Sequence, residues 1–223
     1  MEKKLIITKD GSPSFEVGAL KETYHSRHGA RTESEFVYIQ QGLAHWHRQQ
    51  QQCRVFELGF GTGCNALLAY EYAQKNQLTL EYTTIEKYPL SETDLEALKQ
   101  HHYAITATGQ DFFQFVHALP WNKKETVSSS VHFEKILGDY FEYSPKTRFD
   151  VVFYDAFGAH AQADLWAPTA LEKAVGLMDA NAVWVSYCAK GSVRRALQSF
   201  GLHVERLPGP PGKREMLRAT RVE

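Results

Sequence analysis

The sequence predicts an α/β fold: a doubly wound, mostly parallel sheet that ends in an antiparallel hairpin, with a small N-terminal appendage. Three observations carry that prediction. From Arg54 onward, short runs rich in Val, Ile, Phe and Tyr alternate with stretches of helical periodicity. The last two strand candidates are joined only by the turn at 208–213 (PGPPGK), which leaves no room for a crossover helix and makes the pair antiparallel. A glycine-rich loop follows the first strand of the series and opens directly into a helix.

Residues 1–50 form the appendage. A short strand at Leu5–Ile7 leads through a turn at 9–13 (KDGSP) to a second strand at Ser14–Val17. Phe36, Ile39, Leu43 and Trp46 then recur at helical spacing over 32–49, with Thr32 and Glu35 placed for a capping box. The second unit, 51–223, carries the sheet. Its predicted strands are 54–59, 80–86, 132–139, 149–156, 182–187, 202–207 and 214–220, and its predicted helices are 64–76, 91–102, 165–178 and 192–201. The polar stretch 120–131 reads as a loop.

Composition narrows the class. With 223 residues, 43% hydrophobic and 23% charged, the chain is neither a disordered tail nor a disulfide scaffold. No apolar run approaches the ~20 residues a bilayer needs, and Leu5–Ile7 is too short for a signal peptide. Cys53, Cys64 and Cys188 lie far apart without a CxxC, and the histidines are scattered. These features predict a reduced, cytoplasmic protein without metal or membrane. Charge is uneven: from Lys190 to Glu223 there are eight Lys/Arg against three Glu, whereas the whole chain has a net charge of −1. One end is therefore basic, either as a nucleic-acid footprint or as ordinary solvated faces.

The cofactor motif is Glu57-Leu58-Gly59-Phe60-Gly61-Thr62-Gly63. A dinucleotide fingerprint would require Gly or Ala where Cys64 stands. An acidic residue, a spacer and GxGxG instead match the loop of class I S-adenosylmethionine methyltransferases, and a carboxylate at Glu57 suits an amino group better than a pyrophosphate. Asn65 follows in the first helical turn. Glu86 ends the next strand, where a carboxylate can meet ribose hydroxyls. Asp139 ends the strand after that, beside the expected adenine, although a solvated loop acid is equally compatible. Asp155 ends the most apolar strand, at the crevice where ligands bind, and is the predicted catalytic residue.

With those residues in place, the chain resembles the methyltransferases that complete 5-methylaminomethyl-(2-thio)uridine at the tRNA wobble position, found alone (the MnmD type) or fused to a flavin-dependent oxidase (the MnmC type). Four segments carry the resemblance: Tyr24-His25-Ser26 through Glu33-Ser34, 55–68 (VFELGFGTGCNALL), 154–166 (YDAF with a later LW), and 186–217 (SYCAKGSVRRAL through GPPGKREML). Ala163 and Cys64 depart from the family's usual proline and leucine. The length, with no room for an oxidase domain, suits the stand-alone form.

The resemblance implies methyl transfer from S-adenosyl-L-methionine to the primary amine of 5-aminomethyl-(2-thio)uridine, with S-adenosylhomocysteine as product. It implies cofactor contacts from Tyr24, Glu57, Gly59, Gly61, Gly63, Asn65, Glu86, Asp139 and Asp155. Phe157 and Trp166 are candidates for stacking on an extruded base, or for the core. Lys190, Arg194, Lys213 and Arg214 would hold the phosphates of the tRNA anticodon stem-loop. A separate flavin oxidase acting upstream and a monomeric state are further expectations. The alternatives are a class I methyltransferase for a small-molecule amine, with the basic tail incidental, and a non-enzymatic module that keeps the loop as structure.

Overall fold

The computed structural model describes residues 2–47, 50–101 and 107–222. The chain opens with a three-stranded antiparallel sheet, β1 (Lys4–Ile7), β2 (Pro13–Val17) and β3 (Glu22–Thr23). A helix over 30–47 follows, made of α1 (Ala30–Ser34), a π-helical stretch Glu35–Leu43 and α2 (Ala44–His47). Thr32 and Glu35 do not form the expected capping box: the helix starts two residues earlier, after Gly29, with no side-chain cap of its own. The β1–β2 turn caps it instead. Asp10 accepts from the Thr32 N–H at 2.9 Å and from its hydroxyl at 2.8 Å, while Thr8 Oγ1 and Ser12 Oγ accept from the Ala30 and Arg31 N–H groups. Orphan donors at the helix start are thus met by residues about twenty positions upstream. Residues 48 and 49, at the end of the predicted helix, lie outside the described residues.

The rest of the chain runs β4 (Gln52–Leu58), α3 (Cys64–Asn76), β5 (Thr79–Glu86), α4 (Glu92–Lys99), α5 (Ala107–Ala118), β6 (Lys123–Ser128), β7 (Val131–Leu137), β8 (Phe149–Tyr154), α6 (Pro168–Leu177), β9 (Met178–Ser186), α7 (Gly191–Ser199), β10 (Leu202–Pro208) and β11 (Glu215–Arg221). The eight strands form one sheet in the order β10-β11-β9-β8-β4-β5-β7-β6. Strands β9, β8, β4, β5 and β7 are mutually parallel, and β10–β11 is the expected antiparallel hairpin. The stretch 120–131, read as a loop, is corrected by β6, which pairs antiparallel with β7. Its Lys-Lys-Glu-Thr composition looked loop-like because it is a half-exposed edge strand, where charge protects the free edge. Helix α5 stands where the sequence predicts no element, and its Phe112, Phe113 and Val116 face the core. The predicted helix at 91–102 ends at Lys99, and its last residue lies outside the described residues.

Two apolar layers sandwich the sheet. The 30–47 helix, α3 and α5 cover one face, with Val37, Tyr38, Ile39 and Leu43 sharing a cluster with Val55, Val151, Phe153 and Val185. Helices α6 and α7 cover the other, against Phe56, Val152, Tyr154 and Trp184. The eight-stranded sheet begins at Gln52, and the helix before it packs into the same core. From β4 the chain moves outward to β5 and β7, then returns to β8 on the opposite side. That reversal opens a crevice beyond the carboxyl ends of β4 and β8.

Candidate active site

The glycine loop turns out of β4 into α3 with Gly59, Gly61 and Gly63 all at positive φ (92°, 52° and 77°). At Gly59 the requirement is also steric, since a Cβ would stand 2.9 Å from the Asp155 carbonyl oxygen. Glu86 braces the loop by accepting from the Gly61 N–H at 3.1 Å and the Tyr88 N–H at 2.8 Å. From behind, His117 Nε2 contacts the Thr62 carbonyl at 3.0 Å, which requires that nitrogen to carry the proton. Burial brings the His117 pKa down to about 4 and that of Lys135, which donates to the His117 carbonyl, down to about 8.

This loop forms one wall of a cavity of about 790 Å³, of the size that encloses a cofactor. Eight sequence-predicted residues line it: Tyr24, Gly59, Gly61, Asn65, Glu86, Asp139, Asp155 and Phe157. Asp139 accepts from Lys87 Nζ at 2.7 Å at the mouth, where Tyr88 and Phe141 are exposed. Glu57 and Gly63 lie beneath the lining. Lys190, Arg194, Lys213, Arg214 and Trp166 lie outside it.

Asp155 is held on both oxygens. Tyr38 donates to Oδ1 at 2.6 Å and Asn65 Nδ2 to Oδ2 at 2.8 Å. Burial pushes its pKa up to about 6, against the pull of the Tyr38 hydrogen bond. Glu57 is fully buried, and its pKa is pushed up to about 8 by burial. Thr84, Asn65 and Tyr82 surround it, yet neither carboxyl oxygen meets a donor at full hydrogen-bond geometry. Asn65 Oδ1 is likewise buried without a partner. Tyr38 escaped sequence reasoning because it sits among the apolar positions of a helix and nothing linear ties it to residue 155. Only its hydroxyl could have signalled a buried polar partner.

The segment after Asp155 crosses the cavity to the N-terminal sheet. Phe157 packs edge-on against Tyr24 with ring centroids 5.0 Å apart, and the Gly158 N–H donates to Glu22 at 2.9 Å. Trp166 lies in the core. Its ring is buried against Tyr154 and Tyr187, and its indole N–H donates to the Phe157 carbonyl at 2.6 Å. It therefore shapes the Phe157 loop from the core side. Lys213, expected among the phosphate contacts, pairs its ammonium with Glu33.

A family model described as S-adenosyl-L-methionine-dependent methyltransferase matches residues 100–222, more than half of the chain. The chain belongs to this family of S-adenosyl-L-methionine-dependent methyltransferases. The methyltransferase is 29% identical over 205 residues to the tRNA 5-methylaminomethyl-2-thiouridine biosynthesis bifunctional protein MnmC of Burkholderia thailandensis, covering 87% of this chain and 31% of that protein. The like-named protein of Burkholderia mallei strain SAVP1 is also 29% identical, over 208 residues, covering 87% of this chain and 32% of that protein. The chain thus spans about a third of the length of these curated relatives.

Among solved structures, MNMC2 from Aquifex aeolicus superposes with a TM-score of 0.81 at 24% identity, covering 98% of this chain and 70% of that one. Spermidine synthase from Thermotoga maritima gives 0.52 at 12% identity, covering 98% and 69%. These two likenesses establish the fold.

The methyltransferase uses S-adenosyl-L-methionine, and its cavity fits that group. The glycine loop presents backbone without side chains, Glu86 and Asp139 offer carboxylates for hydroxyl and amine groups, and Asn65 Oδ1 is a buried acceptor still lacking a donor. No group of three or more His, Cys, Asp or Glu among the described residues could hold a metal ion. No helix among them is long and apolar enough to cross a membrane.

Proposed function

We propose that this methyltransferase methylates the primary amine of 5-aminomethyl-(2-thio)uridine at the wobble position of tRNA, giving the 5-methylaminomethyl product. The observation that carries the reading is the 29% identity, over 87% of the chain, to proteins named for biosynthesis of that nucleoside. A cavity that ends on the Asp155 carboxylate agrees with an amine acceptor. When bound, S-adenosyl-L-methionine supplies an electrophilic methyl group on a positively charged sulfur. The chain's own task is alignment, exclusion of water and management of one proton.

Tyr24, Glu86, Asp139, Asn65 and the glycine loop hold the cofactor, with Glu57 supporting Asn65 from below. Asp155, fixed by Tyr38 and Asn65, accepts a hydrogen bond from the acceptor amine and so aims its lone pair. With a pKa of about 6 it is mostly ionised at neutral pH, ready to take the proton that the methylated ammonium must lose. Phe157 stacks on the extruded base, and Lys190, Arg194 and Arg214 contact phosphates of the anticodon stem-loop. The protein acts as a monomer in the cytoplasm, on tRNA that a separate flavin oxidase has prepared.

The test is methyl transfer from labelled S-adenosyl-L-methionine to two tRNA pools, one bearing 5-aminomethyluridine and one lacking the aminomethyl group. Label in the first pool alone, abolished in Asp155→Ala, is the expected result. Label in neither pool, with cofactor binding intact, would overturn the tRNA acceptor and favour a small-molecule amine.

A further inference from the structure

Beside Asp155 lies an ion pair that joins the two ends of the chain and that the proposed function leaves without a role. Glu33, in α1, is only 6% exposed. Its Oε2 accepts from the Ser26 N–H at 2.7 Å, and its Oε1 accepts from Lys213 Nζ, which comes from the turn between β10 and β11. The same ammonium stands 3.6 Å from the centroid of the Tyr187 ring. The Tyr187 hydroxyl in turn donates to the carbonyl of Ala156, the residue after Asp155, at 2.8 Å. The turn is seated hard on the N-terminal segment, since a Cβ at Gly212 would fall 2.1 Å from the His28 ring.

A buried carboxylate is costly unless paired, and two carboxylates near one pocket compete for a single proton. Glu33 left unpaired would make the surroundings of Asp155 doubly negative. A primary amine entering such a site would be held as its ammonium, which has no lone pair to attack with. Lys213 cancels that second charge. Resting on the reading of the cavity as an amine-acceptor site, we propose that Glu33 and Lys213 are the charge-setting pair of the acceptor pocket. Lys213 is a positioning residue that acts through Glu33 and Asp155, not a phosphate ligand.

The electrostatic surroundings agree. Asp155 is faced by Tyr38 from the π-helical stretch, Asn65 and the Cys64 thiol from α3, Glu57 from β4 and Tyr82 from β5. Tyr187, Glu33 and Lys213 also act on it through charge. Among these, Glu33 raises the Asp155 pKa and Lys213 lowers it.

A direct titration of Asp155 decides the matter. The full chain, free of cofactor and tRNA, is labelled with ¹³C at aspartate carboxyls, and the Asp155 resonance is assigned with Asp155→Asn. Glu33→Gln leaves Lys213 positive and should lower the Asp155 titration by about one pH unit. Lys213→Met leaves Glu33 uncompensated and should raise it by about as much. The double variant, neutral again, should return to within a few tenths of the wild type. Opposite signs with cancellation support the pair. Shifts in one direction in all three variants, or none, mean that the pair only fastens the hairpin and overturn the proposal. If Lys213→Met does not fold, Glu33→Gln and the double variant still supply a sign and a cancellation. In the methyl-transfer assay, the acidic limb of kcat/KM for Lys213→Met should move to higher pH. Wild-type protein inactive on aminomethylated tRNA would overturn the proposed acceptor alone, because the titration needs no substrate.

Discussion

Asp155 and Glu57 show how one crevice gives two acids different protonation states. Both pKa values are raised by burial, but Asp155 is lowered in part by Tyr38 and Asn65, whereas Glu57 lies deeper and without a well-aligned donor. Removing the Tyr38 hydroxyl with Tyr38→Phe should therefore raise the Asp155 pKa above about 6. The acidic limb of the pH–rate profile should move up with it, while Asp155→Asn should cost on the order of 10²-fold or more in kcat at any pH. Glu57 makes a separate prediction about stability. Its folded pKa of about 8 lies above the ordinary 4.5, so the native state binds the extra proton between those values. Stability should fall as pH rises through that window, and Glu57→Gln should flatten the trend by a few kcal/mol, roughly. Thermal melts of the cofactor-free protein from pH 5 to 9 would show it. A slope unchanged in Glu57→Gln would mean that the carboxyl is solvated or paired.

At the scale of elements, the N-terminal turn acts as a detached cap. Burial pushes the Asp10 pKa up, but hydrogen bonds from Thr8, Thr32 and Ser12 together hold it well below the usual carboxylate range. Its stabilisation is therefore complete above the ordinary carboxylate pKa and is lost only as pH falls through the depressed one. Asp10→Ala should cost about 1–2 kcal/mol in denaturant titrations at pH 7, the range of a lost N-cap, and less at strongly acidic pH. The sequence carried both halves of this arrangement, the KDGSP turn and the helical spacing from Phe36. Their union was not legible, because a local capping box at Thr32 and Glu35 explained the same residues with fewer assumptions. The same limit hid β6 and Tyr38. The edge strand carries too few apolar residues to show a period, and the tyrosine bonds a partner 117 positions away. By contrast, the loop from Glu57 to Gly63 and the acids at 86, 139 and 155 were legible. Strand ends in an alternating α/β chain fall on one edge of the sheet, so their positions follow from the strands themselves.

For the whole molecule, seven of the eight basic residues between Lys190 and Glu223 fall into two sets once it is folded. Arg206, Arg218 and Lys213 pair with Glu215, Glu205 and Glu33, and Arg221 donates to the carbonyls of Val175 and Met178. Those charges already have partners within the chain. Lys190, Arg194 and Arg214 form no salt bridge among the described residues, and Lys190 and Arg214 are exposed. If they are the phosphate footprint, affinity for tRNA should fall steeply with salt, and replacing all three by Gln should flatten the slope of log Kd against log salt by about 2–3. The methylation of a free aminomethyl nucleoside should change little, since none of the three lines the cavity. Charge reversal at Lys213 would not separate these effects, because it would place two carboxylates against each other beside Asp155. An unaltered salt slope in the triple variant would move the footprint to the cavity mouth around Lys87, Tyr88 and Phe141, where a cation and two exposed rings already stand together.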